Sequence, residues 1–180
     1  MKQDKLTEEQ ISKLIRERSP NNRLKLHAQE IRNRLKEVGS ARYDLALPET
    51  DYLPLLIHFD EKIMGVVYGR YKQNTDSVAG RGVLVATDKR ILLVDKKPLF
   101  LRNDELACEA ISGVSYSKAG LASTVSLHTR FGDIRVRTFN SKCAKNFVKT
   151  IEDLLFAFSK GRTNNSSIPH GNHSKLKSDD

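Results

Sequence analysis

The chain has 180 residues, of which 38% are hydrophobic and 29% are charged, and its formal net charge at pH 7 is +9. This length and composition allow one proper hydrophobic core and exclude two large domains. The positive charge favours acidic partners such as phospholipid headgroups, nucleic acid or an acidic protein surface. Because the basic residues are spread along the chain and form no basic arm, a solvated charged surface is the simpler interpretation.

The first forty residues predict a pair of helices joined by a turn. The capping box Thr7-Glu8-Glu9-Gln10 begins the first helix, which places Ile11, Leu14 and Ile15 on one face. The turn Ser19-Pro20-Asn21-Asn22 ends it, because a proline moves the preceding residue out of helical geometry.

The second helix is predicted to end at Gly39 and carries apolar residues every three or four positions, namely Leu24, Ala28, Ile31, Leu35 and Val38. The apolar seam of the two helices is too narrow to fold alone, so either the rest of the chain or a second copy must cover it. We expect a homo-oligomer that associates through this seam, by residues Ile11, Leu14, Ile31 and Leu35. A helix-turn-helix that reads DNA with Lys25, Arg32 and Lys36 is the weaker alternative, since no third helix supports it.

The pattern becomes strand-rich after Pro48. Residues 52–59 fit one or two helical turns, and β-branched and aromatic runs with Gly, Asn, Asp or Lys at their breaks follow. Six or seven short strands at this spacing predict an antiparallel barrel or sandwich. The predicted runs are 63–71, 82–87, 91–94, 107–111, 113–116, 125–129 and 134–138.

Two aliphatic blocks flank the polar sequence Thr87-Asp88-Lys89-Arg90, which predicts a hairpin turn. The blocks are continuous because a strand that is covered by a helix or a partner is buried on both sides. We expect Lys89 and Arg90 to project into water, and the alternative is that one of them binds an anion.

A later hairpin can be aligned by its inner and outer faces. If Thr129 pairs with Ile134, His128, Arg135 and Arg137 all point outward, whereas a slip of one residue would bury the arginines. This outward strip is either an anion-binding surface or an ordinary soluble face.

An amphipathic helix follows the strands, capped by Asn140 or Ser141, and we expect it to cover the open end of the barrel. Its apolar face contains Ala144, Phe147, Val148, Ile151, Leu154, Leu155 and Phe158. Residues 161–180 are polar without periodicity and should be disordered. The domain plan is therefore a helical hairpin at 1–40, a strand-rich domain at 41–160 and a tail at 161–180.

Neither a cofactor nor a metal is predicted. Cys108 and Cys143 lack the spacing of a zinc site or a disulfide framework, which indicates a reducing, cytoplasmic environment. His170 and His173 lack a third ligand. The polar N-terminus lacks the apolar run of a signal peptide, and no run reaches the roughly 18 apolar residues that a transmembrane helix needs, so we expect any membrane contact to be peripheral.

The sequences GRGVLVATDKRILLVDKKPLF and LACEAISGVSYSKAGLASTVSLHTRFGDIRVRTF, preceded by LPLLIHFDEKIMGVVYG, resemble bacterial pleckstrin-homology-like domains, in particular the YokE-like group. The resemblance covers residues 51–159. It implies seven antiparallel strands in two nearly orthogonal sheets, closed by the C-terminal helix. It also implies a binding module without catalytic activity, and no catalytic motif is present in the sequence.

Relatives that bind phosphoinositides carry a basic pattern on the first two strands. Lys72 and Arg81 fit two of its positions, but Val83 stands where the last arginine should be. We therefore expect a cytoplasmic module that binds a protein, a peptide or itself through a sheet edge or a groove. Peripheral binding to anionic lipid headgroups is the first alternative, and nucleic-acid binding is the second and less favoured one.

Overall fold

The computed structural model describes residues 20–74, 76 and 78–164. The described chain begins with two helices, continues with seven strands and ends with a long helix. The helices are α1 (Pro20–Glu37), α2 (Pro48–Leu56) and α3 (Ser141–Asn164). The strands are β1 (Ile63–Gln73), β2 (Gly80–Thr87), β3 (Arg90–Lys97), β4 (Phe100–Ala107), β5 (Ile111–Ala119), β6 (Ala122–Thr129) and β7 (Ile134–Thr138). None of the described helices is long and apolar enough to cross a bilayer.

Hydrogen bonds join the seven strands into one antiparallel sheet in the order β4-β3-β2-β1-β7-β6-β5. Strand β1 connects the two halves, because residues 63–71 pair with β2 while Arg70, Tyr71, Lys72 and Gln73 pair with β7. The two predicted sheets are thus continuous through β1. Strands β4 and β5 are the edges of the sheet.

The concave side of the sheet encloses the inner core, and α3 covers it as the sequence predicts. Phe147 and Ile151 are fully buried there against side chains from β1 to β3 and from β5 to β7. Asn140 caps α3, since its Oδ1 accepts a hydrogen bond from the amide of Cys143 at 3.1 Å. The helix continues through residues 161–164, so the predicted tail begins later than residue 161. The rest of that tail, with His170 and His173, lies outside the described residues.

The opposite, outer side of the sheet is also buried where it carries β2 and β3, which explains the continuous aliphatic blocks in these strands. Val83, Val85, Leu92 and Val94 point outward, and their exposed fraction is 0%. Helices α1 and α2 cover them and form a second core cluster with them. The prediction that these strands are buried on both sides is confirmed.

Helix α1 packs on the sheet of its own chain. The exposed fractions of Ile31 and Leu35 are 4% and 0%, so neither offers surface to a second copy in this structure. Gly39 ends the helix with a φ of 109°, and the Gly39 and Ser40 amides close the turn on the carbonyls of Lys36 and Leu35. The earlier predicted helix with Ile11 and Leu14 lies outside the described residues. Self-association therefore stays a prediction, but Ile31 and Leu35 are not available for it in this structure.

Helix α1 contains Arg32, a residue that the alternative helix-turn-helix interpretation assigned to DNA contact. Arg32 donates a hydrogen bond to the carbonyl of Leu45 at 3.0 Å and forms an ion pair with Asp51 at the start of α2. These contacts fix α1 to α2. The guanidinium is thus held within the fold.

The sequence prediction was wrong for the segment between β3 and β5. Strand β4 was missed, and the run 107–111, predicted as a strand, contains a 3₁₀ turn at Cys108–Ala110. Strand β4 reads FLRNDELA and has no buried residue, because it is an edge strand with one solvated face. Its polar composition hides it from a search for apolar runs.

The predicted register of the β6–β7 hairpin was wrong by two residues. Leu127, and not Thr129, pairs with Ile134. Thr129 instead pairs with Ile111 of β5, and its hydroxyl donates to the carbonyl of Gly132 at 2.7 Å to close the turn. Because a shift of two preserves the face of every side chain, Arg135 and Arg137 still point outward.

Candidate anion-binding surface

The basic residues of the β2–β3 turn are held by carboxylates of the same chain. The hairpin itself is confirmed, with Asp88 and Lys89 as its connecting residues. Lys89 pairs with Asp60 at 2.5 Å and remains half exposed. Arg90, expected to project into water, has only 18% of its side chain exposed. The attraction of nearby carboxylates outweighs the hydration of its charge.

Arg90 binds Glu61 through two nitrogens, Nε and Nη2, each 3.0 Å from a carboxylate oxygen. Its Nη1 lies 2.7 Å from Glu105, and Nη2 also donates to the carbonyl of Leu56 at 2.9 Å. Burial raises the pKa of Glu61, but the hydrogen bonds from Arg90 and Thr87 outweigh it and lower the pKa overall. The acidic residues before β1 and the basic residues of the turn thus form one clamp.

The end of the sheet where β1 meets β2 is filled by a second internal network. Arg102 donates to Asp76 at 3.0 Å and to Asp104 at 2.7 Å. Tyr71 donates to the buried Asp95 at 3.0 Å, and burial together with this carboxylate raises the pKa of Tyr71 to about 12. The carboxylates of Asp76, Asp95 and Asp104 therefore lie at this end of the sheet, where the phosphoinositide-binding pattern would require free cations.

The outward strip on β6 and β7 contains an acid. His128 points outward as predicted, but its Nδ1 lies 3.0 Å from Asp133 and its Nε2 lies 3.1 Å from the hydroxyl of Ser115. Arg135 is 61% exposed and lies 3.6 Å from the same carboxylate. We therefore leave His128 out of the candidate site.

Three arginines stand side by side on neighbouring strands of the outer face. Arg70 of β1 pairs in register with Arg81 of β2 and with Arg137 of β7. Two residues further along, Lys72 pairs with Arg135. All five are exposed, and within the described part of the chain Arg70, Arg81, Arg137 and Lys72 have no ion pair. We call Arg70, Arg81 and Arg137 the arginine row.

Two glycines allow the strands to approach closely beside this row. Gly69 and Gly82 face each other across β1 and β2. A Cβ atom on Gly69 would lie 2.2 Å from the carbonyl oxygen of Arg137, and one on Gly82 would lie 2.4 Å from that of Val94. The missing side chains thus let β7 and β3 pack against the β1–β2 hairpin.

The arginine row lines a cleft of about 590 Å³ between the sheet and the start of α2. Tyr43 and Phe139 flank this cleft with exposed fractions of 59% and 77%. Lys97 also lines it, where its ammonium binds Asp95 and donates to the carbonyl of Arg81 at 2.8 Å. Lys96 adds a further positive charge and lies over the ring of Tyr52 at 5.7 Å. The cleft therefore combines free guanidinium groups with aromatic walls, beside the buried carboxylates of Asp44 and Glu49.

Exposed apolar side chains lie on the three loops at the adjoining end of the sheet. The β1–β2 and β6–β7 loops touch, because the Asn74 amide donates to the Asp133 carbonyl at 3.3 Å. Val78, Leu99 and Phe131, one from each of these loops and from the β3–β4 turn, have exposed fractions of 77%, 101% and 80%. A basic face thus borders apolar tips.

Sequence reasoning identified Arg81, Arg137, Lys72 and Arg135 but missed Arg70. The alternation of inner and outer faces predicts the direction of Arg135 and Arg137 in the later hairpin, whereas Arg70 joins them only because β1 pairs with both β2 and β7. The mirrored sequences Gly69-Arg70 and Arg81-Gly82 around the β1–β2 loop are a signal that could have found it.

A seven-stranded antiparallel sheet whose concave side is closed by a C-terminal helix is a pleckstrin-homology-like (PH-like) fold. Residues 57–153, more than half of the chain, match the family described as bacterial PH domain, and the chain belongs to that family. The fold is therefore that of a binding module, in a family whose domains are typically non-catalytic.

The solved structures that resemble this chain include two PH domains and one C-terminal domain of an unknown protein. The N-terminal PH domain of Vps36 is 14% identical, covers 56% of this chain and 86% of its own, and has a TM-score of 0.45. The C-terminal domain of an unknown protein from Leishmania infantum is 13% identical (59% and 94% covered, TM-score 0.43). The N-terminal PH domain of human ARAP2 is 12% identical (63% and 93% covered, TM-score 0.36). No curated protein shows significant sequence similarity.

Proposed function

We propose that this chain is a non-catalytic module that binds the phosphate groups of anionic membrane lipids through the arginine row, with Lys72 and Arg135 beside it. The observation that carries the proposal is the row itself, in which three adjacent guanidinium groups have no carboxylate partner in the described structure. The positive net charge of the chain supports the same kind of partner.

Electrostatics favours an anion at this position. Like charges directly opposite each other on neighbouring strands destabilise a sheet by a few tenths of a kcal/mol to about 1 kcal/mol per pair. A bound phosphate would offset this repulsion and accept paired hydrogen bonds from an arginine. Attraction to an anionic lipid surface contributes about 1 kcal/mol per basic residue.

The apolar loop tips favour a lipid surface over a free acidic ligand. Val78, Leu99 and Phe131 are exposed beside the basic face, where they could enter the boundary between headgroups and acyl chains. The internal network of Arg102 at the mouth of the sheet, together with Val83 in place of a third basic residue, gives no reason to propose inositol phosphate recognition.

Co-sedimentation with vesicles tests this proposal. Wild-type protein and an Arg70→Gln, Arg81→Gln, Arg137→Gln variant are each mixed with phosphatidylcholine vesicles that contain or lack phosphatidylglycerol. The matched control, Lys36→Gln, Lys142→Gln, Lys149→Gln, removes the same charge from exposed helix positions. We expect the arginine variant to lose binding at low salt while the control retains most of it.

Two results would reject the proposal. The first is that wild-type protein binds vesicles with and without phosphatidylglycerol equally at low ionic strength. The second is an equal loss of binding in both triple variants, which would indicate that binding depends on net charge and not on a specific site. Added salt should weaken wild-type binding, since exposed charges are screened over about 10 Å at 0.1 M salt.

A second candidate function is the binding of a protein or peptide at a sheet edge. Strands β4 and β5 each lack a partner on one side within the described sheet, which leaves backbone groups able to pair with an added strand. Cross-links from a captured protein to residues 113–119 would support this function.

We also propose that the chain belongs to the YokE-like group, which is a subgroup of the bacterial PH domain family.

A further inference from the structure

A serine, a histidine and an aspartate form a chain of hydrogen bonds on the outer face of β5 and β6. The hydroxyl Oγ of Ser115 lies 3.1 Å from Nε2 of His128, and Nδ1 of the same ring lies 3.0 Å from Oδ1 of Asp133. A hydroxyl within hydrogen-bond reach of a base, which a third group orients in turn, is the arrangement that activates a serine as a nucleophile. The proposed lipid site uses none of these three residues.

The pairing of β5 with β6 explains how the three side chains meet. Gly113 lies directly opposite His128, and Ser115 is two residues further along β5. Because Gly113 has no side chain, the imidazole can lean across β5 to its diagonal neighbour Ser115. A Cβ atom on Gly113 would contact Cδ2 of this ring at 3.8 Å. The β6–β7 loop holds Asp133 beside the ring, since the Asn74 amide donates to the Asp133 carbonyl at 3.3 Å.

The hydrogen-bond partners determine which ring nitrogen of His128 carries the proton. The carboxylate of Asp133 can only accept hydrogen bonds, so Nδ1 is protonated in the neutral imidazole and Nε2 has a free lone pair. Nε2 is then the acceptor of the Ser115 hydroxyl, which is the direction that a general base requires. Nη2 of Arg135 lies 3.6 Å from the other oxygen of Asp133, so a cation stands next to this serine site.

We propose that Ser115 is an acylation site that takes its acyl group from an acyl phosphate. Oγ of Ser115 attacks the acyl carbon, and the hydroxyl proton passes to Nε2 of His128. The bond between that carbon and the phosphate oxygen then breaks, and inorganic phosphate leaves with the proton from His128. Arg135 is placed to bind the phosphate, because a guanidinium group donates paired hydrogen bonds to phosphate oxygens.

This modification goes beyond the proposed lipid binding and agrees with a module that has no catalytic turnover. Ser115 is exposed on an edge strand, so water meets the negative charge that develops on the acyl oxygen. Enclosed donors aimed at that oxygen are what makes acyl transfer fast in enzymes. We therefore expect a slow reaction that acylates each chain once.

Labelling of the full-length chain with acetyl phosphate, followed by peptide mass spectrometry, tests the proposal. Ser117 is a matched control in the same molecule, because it is exposed on the same face of β5 but pairs with Thr124. Hydroxylamine removes acetyl groups from serine and leaves acetyl-lysine intact, which identifies the serine product. A positioned general base accelerates such a step by about 10²–10⁴-fold, so we expect acetylation of Ser115 to be at least about tenfold faster than that of Ser117.

Equal labelling of Ser115 and Ser117 in the wild-type protein would overturn the proposal, and this comparison needs no substitution that could disturb the fold. His128→Gln should lower the labelling rate of Ser115 to that of Ser117, and an unchanged rate would show that the histidine is not the base. Arg135→Gln should slow labelling by acetyl phosphate but not by p-nitrophenyl acetate, which has no phosphate. An equal effect on both reagents would reject the acyl phosphate as donor. The assay contains no lipid, so its failure would leave the lipid proposal as it stands.

Discussion

The sheet carries two kinds of arginine that are chemically identical and differ only in their neighbours. Arg90 and Arg102 are mostly buried, and each contacts two carboxylates of the same chain. Arg70, Arg81 and Arg137 are exposed and have one another as cross-strand neighbours. The first group fixes the fold, whereas the second group opposes it slightly and leaves its charge available to a ligand.

This comparison shows why a basic composition alone does not identify a binding surface. Whether an arginine of the sheet is available to a ligand depends on whether a carboxylate of the same chain already binds its guanidinium group. Replacements in the first group should therefore change stability, and replacements in the second should change binding.

The largest effect is expected from Arg90→Ala. The change leaves Glu61, whose side chain is only 1% exposed, as a buried charge without its partner. Breaking a buried pair in this way costs about 3–5 kcal/mol. Urea unfolding measures the loss, and Arg70→Ala is the matched control. A loss below about 1 kcal/mol for Arg90→Ala would remove the distinction between the two groups.

Gly69→Ala should lower the free energy of unfolding by less than Arg90→Ala does, and it should also weaken binding at the arginine row. The added methyl group would lie 2.2 Å from the Arg137 carbonyl oxygen, so β1 and β7 must separate. Overpacking of this kind costs about 1–3 kcal/mol. Gly113→Ala is the control, since the nearest neighbour of its new carbon is 3.8 Å away. Equal stability of the two variants would show that the close approach is not needed.

A smaller, pH-dependent effect is expected at Glu61. Because its pKa in the folded protein lies below the unfolded value, the clamp stabilises the protein at neutral pH, and this contribution is lost as the pH falls through the folded pKa. Burial raises the pKa of Asp44, which acts in the opposite direction. Urea unfolding across acidic pH should show a weaker dependence for Glu61→Gln than for the exposed control Glu152→Gln. An identical dependence would contradict the assignment.

The smallest effect on stability is expected from the triple glutamine variant of the arginine row. Removal of cross-strand repulsion should leave the free energy of unfolding within about 1 kcal/mol of wild type, or raise it slightly. Thermal unfolding at low salt measures the change. Clear destabilisation would mean that these guanidinium groups hold the fold after all.

The sequence predicted those elements whose side chains meet the core on a regular period. Phe147 and Ile151 of α3 follow this rule, whereas the aliphatic blocks of β2 and β3 were predicted from their continuity, because both of their faces are buried. Strand β4 failed because its edge position buries none of its residues, and Arg90 was misplaced because Glu61 and Glu105 are distant in sequence. Periodicity records burial, but it does not record which charges become neighbours.

Part of the candidate surface was predictable for the same reason. Arg135 and Arg137 follow from the alternation of β7, and a register shift of two does not change their direction. Arg70 depends on the pairing of β1 with β7, in which it meets Arg137, 67 residues later in the chain, and local patterns do not encode that pairing. The cleft depends further on the placement of α2 beside the sheet.

The alkylation rates of the two buried cysteines would measure how often the parts of the fold around them open. Cys143 donates to the carbonyl of Val66 at 2.8 Å, and burial together with Asp44 raises the pKa of its thiol to about 12. A thiol held in this way reacts with alkylating agents only when the packing between α3 and β1 opens. Cys108, between the two edge strands, would report a separate opening. The ratio of the two labelling rates would then show whether the sheet edges loosen before the core does.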